Sequence, residues 1–219
     1  MATDSRALTT TTGESSPVAG LSHDARGGIS NVVLGMLLFL TSEVMFFGGL
    51  FAAYFNVRAN SPIWPTINPE TNAQFKLEIL PLVGPATVLL ILSSLTCQMA
   101  VWGIRRGDRT AFLRNIAVTF VIGITFLVMQ ATDYVMLGSE GMTLSAGTYG
   151  TTYFTLTGFH GAHVFGGAIM LGVLLYRGLA GQFSARHHDA VEAVSLYWHF
   201  VDIVWILLFS LLYLLPGKG

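Results

Sequence analysis

The chain has 219 residues, of which 53% are hydrophobic and 11% charged, with mean hydropathy +0.62 and a formal net charge of −1. About a quarter of the residues of a soluble domain are charged, so this composition excludes an ordinary soluble domain and points to a membrane protein. A charge this close to zero identifies no partner.

Residues 1–28 are rich in Thr, Ser and Gly, with an unbroken run from Thr9 to Thr12, and read as a disordered tail. The first apolar segment is too long for a signal h-region, so no secretory signal is expected. A membrane-spanning helix needs about 20 mostly apolar residues. Five stretches meet that length: Ile29–Val57, Ile79–Ile104, Leu113–Leu137, Gly150–Tyr176 and Val191–Leu215. Their long unalternating runs exclude a barrel, and lipid leaves backbone groups no partner except within a helix. The expected fold is all-α: one integral membrane bundle of five transmembrane helices over 29–216.

Between the first two spans, Arg58 to Glu78 holds Pro62, Pro65 and Pro69 with Trp64, and reads as an ordered external loop with an interfacial tryptophan. The short basic connection Arg105 to Arg114 makes the second and third spans an antiparallel hairpin. One end of the bundle collects Arg6, Arg26, Arg105, Arg106, Arg109, Arg114, Arg177 and Arg186, the other only Arg58, Lys76 and Lys218. Positive-inside bias places the amino terminus in the cytoplasm and the carboxyl terminus outside. Cys97, the single cysteine, has no intrachain partner and reads as a small core residue.

An ionisable group inside a span is costly and is normally paired within a bundle. Glu43 lies near the centre of the first span among Met36, Phe39, Phe47, Leu50 and Tyr54, a surround that favours the uncharged acid. Asp133 lies nearer the outer end of the third span, within reach of water or a partner subunit. In the fourth span Gly158, Ala162 and Gly166 form a small-residue stripe suited to close helix approach. His160, His163 and Gly167 recur at three and four and predict a second shared face. In the fifth span Ser195, His199 and Asp202 share a face, with Asp202 one turn from His199 and able to fix its tautomer. Glu43, His160, His163, His199 and Asp202 thus form a candidate buried polar cluster, structural or proton-active. Haem or metal ligation by the histidines is the sharper alternative, although metal sites usually need three or four ligands and the chain has no thiolate cluster. Arg177 closes the fourth span at the cytoplasmic interface with Ser184 and Arg186 following, a candidate site for anionic lipid headgroups.

Three blocks together, Ser42-Glu43-Val44 followed by Phe46-Phe47, Gly158-Phe159-His160-Gly161-Ala162-His163, and Tyr197-Trp198-His199-Phe200-Val201-Asp202 with Val204-Trp205, resemble subunit III of the haem–copper terminal oxidases. The likeness runs from about Gly35 to Leu215, in the order of that family, and fits its short five-helix bacterial form. It implies a subunit with no catalytic residue, metal, haem or copper of its own, whose partners, oxidase subunits I and II, carry haem and copper and reduce dioxygen to water while pumping protons. Further small subunits or a respiratory supercomplex, and membrane lipids including bound phospholipid, complete the implied partners; nucleic acid is not among them. The location implied is the bacterial plasma membrane. In that family the acid matching Glu43 is buried and carbodiimide-reactive, and the basic residue matching Arg177 contributes to lipid binding. The chain departs from the longer members in lacking two amino-terminal helices, in Ala52 where some carry tryptophan, and in Asp133 where glutamate is common. Two rivals stay open at this point: subunit III of a quinol oxidase or a nitric oxide reductase accessory protein, and an independent haem-binding or proton-coupled membrane protein built on the same histidines and carboxylates.

Overall fold

The computed structural model describes residues 30–65, 82–145 and 147–215. The tail 1–28, Lys76, Lys218 and Pro69 therefore lie outside the described residues, as does the boundary between tail and bundle. Among the described residues there are five helices and no β-strand: α1 Asn31–Asn60, α2 Val83–Arg105, α3 Arg109–Ser139, α4 Thr148–Leu179 and α5 Asp189–Phe209, the last continued by a π-turn over Ser210–Leu214. All five are long and apolar enough to cross a membrane. They overrun the apolar stretches by a turn at several ends, because polar residues such as Arg109 and Asp189 prolong helices past the hydrocarbon.

Local chemistry sets the ends. Ser30 caps α1, its Oγ accepting from the amide of Val33 at 3.3 Å, and Asp108 caps α3 by accepting from Ala111 at 2.9 Å. Between α2 and α3 the chain reverses at Gly107, whose φ of 76° is the left-handed conformation glycine adopts without strain. At Gly103 an added Cβ would sit 2.9 Å from the backbone nitrogen of Phe112, so only glycine permits this tight hairpin. The guanidinium of Arg109 donates to the carbonyls of Gly178 (3.2 Å) and Leu179 (2.7 Å), satisfying carbonyls left open at the end of α4.

Helices α2 to α5 form a four-helix bundle in which α2 packs on α3 and α5, and α4 on α3 and α5. α1 lies outside it, packed mainly on α5 and touching α4 in passing. The bundle is keyed by Trp198, which is fully buried and donates from Nε1 to Ser93 Oγ at 2.8 Å. A Cβ at Gly123 of α3 would lie 2.6 Å from its ring, and one at Gly167 of α4 2.8 Å away. One indole from α5 thus fills notches in two helices and bonds a third.

The small-residue stripe expected along α4 is not the packing seam. Ala162 is exposed, and an added Cβ would meet only the Tyr134 hydroxyl at 3.9 Å from Gly158 and that of Tyr197 at 3.5 Å from Gly166. The close approaches fall at Gly161, Gly167 and Gly178, which receive Gln130, Trp198 and Phe112. Large side chains facing small ones, rather than backbones in contact, decide which glycines matter. Trp64 packs on the protein itself. It is buried, edge-on to the rings of Tyr54 (5.8 Å) and Tyr149 (4.9 Å) at one end of the bundle.

Candidate functional site

Glu43 on α1 meets His163 on α4, with Oε2 2.9 Å from Nε2. The other ring nitrogen, Nδ1, lies 2.7 Å from the carbonyl of Phe159, which only accepts, so Nδ1 carries a proton. The Glu43–His163 contact then holds one proton, on the acid or on Nε2, and the pair is neutral in sum in either case. That is the arrangement a polar pair at this depth requires. Phe46 and Phe47 wall it, the Phe47 centroid standing 5.0 Å from the imidazole, and Tyr197 donates to the His163 carbonyl at 2.9 Å.

His199 and Asp202 are joined, but indirectly. Ser94 of α2 stands between them: its hydroxyl donates to Asp202 Oδ2 and lies 3.0 Å from His199 Nδ1. Nε2 of His199 faces Ser195 Oγ at 3.2 Å and the side-chain amide of Gln98 at 3.3 Å. Direct tautomer control of His199 by Asp202 is therefore replaced by a relay through a neighbouring helix, since both α5 side chains lean toward α2. Asp202 Oδ1 is buried and makes no hydrogen bond among the described residues.

His160 joins neither group. It is fully buried, stacked on Trp205 with centroids 4.9 Å apart and edge-on to Phe126 at 6.0 Å, and neither ring nitrogen has a hydrogen-bond partner among the described residues. The shared face expected for His160 and His163 is split. His160 points with Gly167 into the α3–α5 core, whereas His163 turns to α1, because helical positions three apart diverge by about 60° around the axis. The five residues thus form two pairs and one isolated ring, not one cluster.

Near the carboxyl-terminal end of α3, Tyr153 donates to Asp133 Oδ2 at 2.9 Å and lies 2.8 Å from the Tyr213 hydroxyl. These three side chains line a cleft with Gln130 and Thr157. Sequence reading named Asp133 but neither tyrosine, and it missed Ser94 and Gln98. Their signal was polar residues in an apolar span, Ser94 and Gln98 one turn apart on α2. At the opposite end, Arg177 Nε donates to Gln182 at 2.9 Å and its guanidinium lies 4.8 Å over the Phe183 ring. Ser184 Oγ accepts from the His187 amide at 3.2 Å, and Arg186 is exposed. These three share one end and one loop, and no hydrogen bond joins them among the described residues. Arg105 meets Glu192 at 2.8 Å nearby, and His188 reaches the same carboxylate at 3.0 Å. Among the described residues no group of three or more His, Cys, Asp or Glu side chains converges as a metal ion would require.

Comparison with known proteins matches residues 21–216 to the family model for cytochrome c oxidase subunit III. The chain is 43% identical over 183 residues to a probable cytochrome c oxidase subunit 3 of Mycobacterium tuberculosis, covering 83% of this chain and 87% of that one. It is 41% identical over 185 residues to cytochrome c oxidase subunit 3 of Corynebacterium diphtheriae, with the same coverage. The corresponding protein of Pongo abelii is 37% identical over 185 residues, 82% of this chain and 67% of its own length.

Proposed function

The chain belongs to the cytochrome c oxidase subunit III family, and on that premise we propose that it is an accessory, non-catalytic subunit of a proton-pumping respiratory oxidase. Subunits I and II carry the haem and copper that reduce dioxygen to water. This chain stabilises the catalytic subunit, supports its proton uptake and binds phospholipid. The basic residues gathered at one end, Arg105, Arg106, Arg109, Arg114, Arg177 and Arg186, support a cytoplasmic placement of that end in a bacterial plasma membrane. Arg186 and the guanidinium of Arg177 are the groups offered to anionic headgroups there.

The observation that carries this reading is how the ionisable groups are engaged. Glu43 is taken by His163, His199 by Ser94 and Ser195, and His160 by two aromatic rings. Each satisfies or shields a partner within the bundle, and the two histidines with hydrogen bonds use both ring nitrogens for them. Such groups hold helices together and store protons beside a partner. The test is purification of the complex in mild detergent, with its subunits identified by mass spectrometry and its optical spectrum recorded. Retention of subunit I and of a dicopper-bearing subunit II is the expected result. A chain purified alone with stoichiometric haem would overturn the reading and revive an independent haem protein.

A further inference from the structure

A lipid-facing helix surface has no reason to present side chains whose hydrogen bonds are incomplete, since hydrocarbon supplies no partners. The outer face of α3 obeys this. Val121 and Val128 are each 60% exposed, and its exposed threonines, Thr125 and Thr132, bond the carbonyls of Val121 and Val128 one turn back. The seam between α2 and α5 does not. Near the middle of both helices Ser94, Gln98 and His199 are half-buried at the surface, flanked by Leu95 (60% exposed) and Ile203 (58%).

Among the described residues the hydrogen bonds of this seam do not all close. Gln98 reaches His199 with one amide atom, and the other makes no hydrogen bond among the described residues. Asp202 Oδ1, which has no hydrogen-bond partner among the described residues, is enclosed within the chain and out of reach from the seam surface. An outward amide with one end unused among the described residues defines what is missing. The complement is a neutral group that both donates and accepts, brought at mid-membrane depth by something with an apolar surface for Leu95 and Ile203. A hydroxyl or carboxamide on a transmembrane helix has both properties. A lipid acyl chain has only the second.

We propose that the α2–α5 seam centred on Ser94, Gln98 and His199 is where a transmembrane helix of another oxidase subunit seats, placing a hydroxyl or carboxamide side chain against Gln98. The proposal rests on the reading of the chain as an oxidase subunit and adds the surface by which it docks. The seam is separate from the Glu43–His163 pair, which closes on itself and needs nothing from outside.

The test uses the intact complex in native membranes. A photoreactive benzoylphenylalanine replaces Leu95 or Ile203 in the seam, or Val121 or Val128 on α3, and cross-linked products are identified by mass spectrometry. All four side chains are exposed, so folding is not at stake. The seam positions should capture one oxidase subunit at least fivefold more than the α3 positions, which should capture lipid. Gln98→Leu should weaken retention of that subunit at least threefold through a detergent wash. Capture of lipid alone at Leu95 and Ile203, while oxidase subunits still co-purify, would overturn the seam and leave the functional reading standing. Capture of a second copy of this chain would overturn the choice of partner. Absence of any oxidase subunit from the purified complex would overturn both.

Discussion

Glu43 and His163, 120 residues apart in sequence, meet at 2.9 Å and form a polar side-chain link between α1 and the α4 helix it barely touches. α1 is otherwise held at its carboxyl-terminal half, where Tyr54 donates to the Leu211 carbonyl at 2.8 Å and packs on Trp64. The Glu43–His163 link decides whether the amino-terminal half of α1 stays near α4. Glu43→Gln keeps a hydrogen-bond donor and acceptor and should assemble normally, while abolishing carbodiimide labelling at this position. Glu43→Ala leaves the imidazole unpartnered and should cost about 1–3 kcal/mol. Thermal unfolding in detergent checks both, and equal losses from the two variants would contradict the shared-proton pair.

Trp198 supplies a second prediction. Gly123→Ala and Gly167→Ala each force a Cβ to within 3 Å of a ring that is pinned by Ser93. Overpacking of that kind costs about 1–3 kcal/mol. Gly158→Ala and Ala162→Leu should each change the stability of the isolated chain by less than about 0.5 kcal/mol, because neither position faces a crowded neighbour. Melting temperatures of the four variants in one detergent give the ranking. A larger loss from Ala162→Leu than from Gly167→Ala would restore the small-residue stripe as the packing seam.

His160 makes the third. Its ring is fully enclosed, and its nitrogens bond nothing among the described residues, so its polarity adds cost and its shape adds packing. His160→Phe preserves the stack on Trp205 and removes two unpartnered polar atoms. Stability should hold within about 1 kcal/mol or rise, since replacing unsatisfied polar groups by apolar ones is neutral or favourable. His160→Ala should lose about 2–4 kcal/mol through the cavity it opens. Unfolding of both variants to the same extent would show that the nitrogens, not the ring, hold the site.

The five helices were legible because a run of apolar residues long enough for a bilayer has one structural outcome. The hairpin of α2 and α3 was legible from its short basic turn. The partner of Glu43 was open to sequence reasoning only by depth. Two residues near the centres of their spans can meet, but which face each presents depends on helix rotation, and rotation is set by packing. That is why the His160–His163 spacing suggested a common face when Trp205 claims one ring and Glu43 the other. The α4 stripe failed for a related reason. Counting small residues locates notches, yet the side chains of Gln130, Trp198 and Phe112 determine which notches of α4 are filled. Ser94 and Gln98 were passed over because hydroxyl and amide groups within a span read as ordinary interhelical bonds until their neighbours are known.

The account stands most directly on what remains when this chain is removed. Subunits I and II should be prepared with and without it, and haem and copper content measured alongside the number of turnovers before activity is lost. Metal and haem content and the initial rate of oxygen reduction should be unchanged without the chain, while the number of turnovers survived should fall severalfold. Loss of haem or copper in proportion to loss of the chain would contradict the account and return His160, His163 and His199 to the role of ligands.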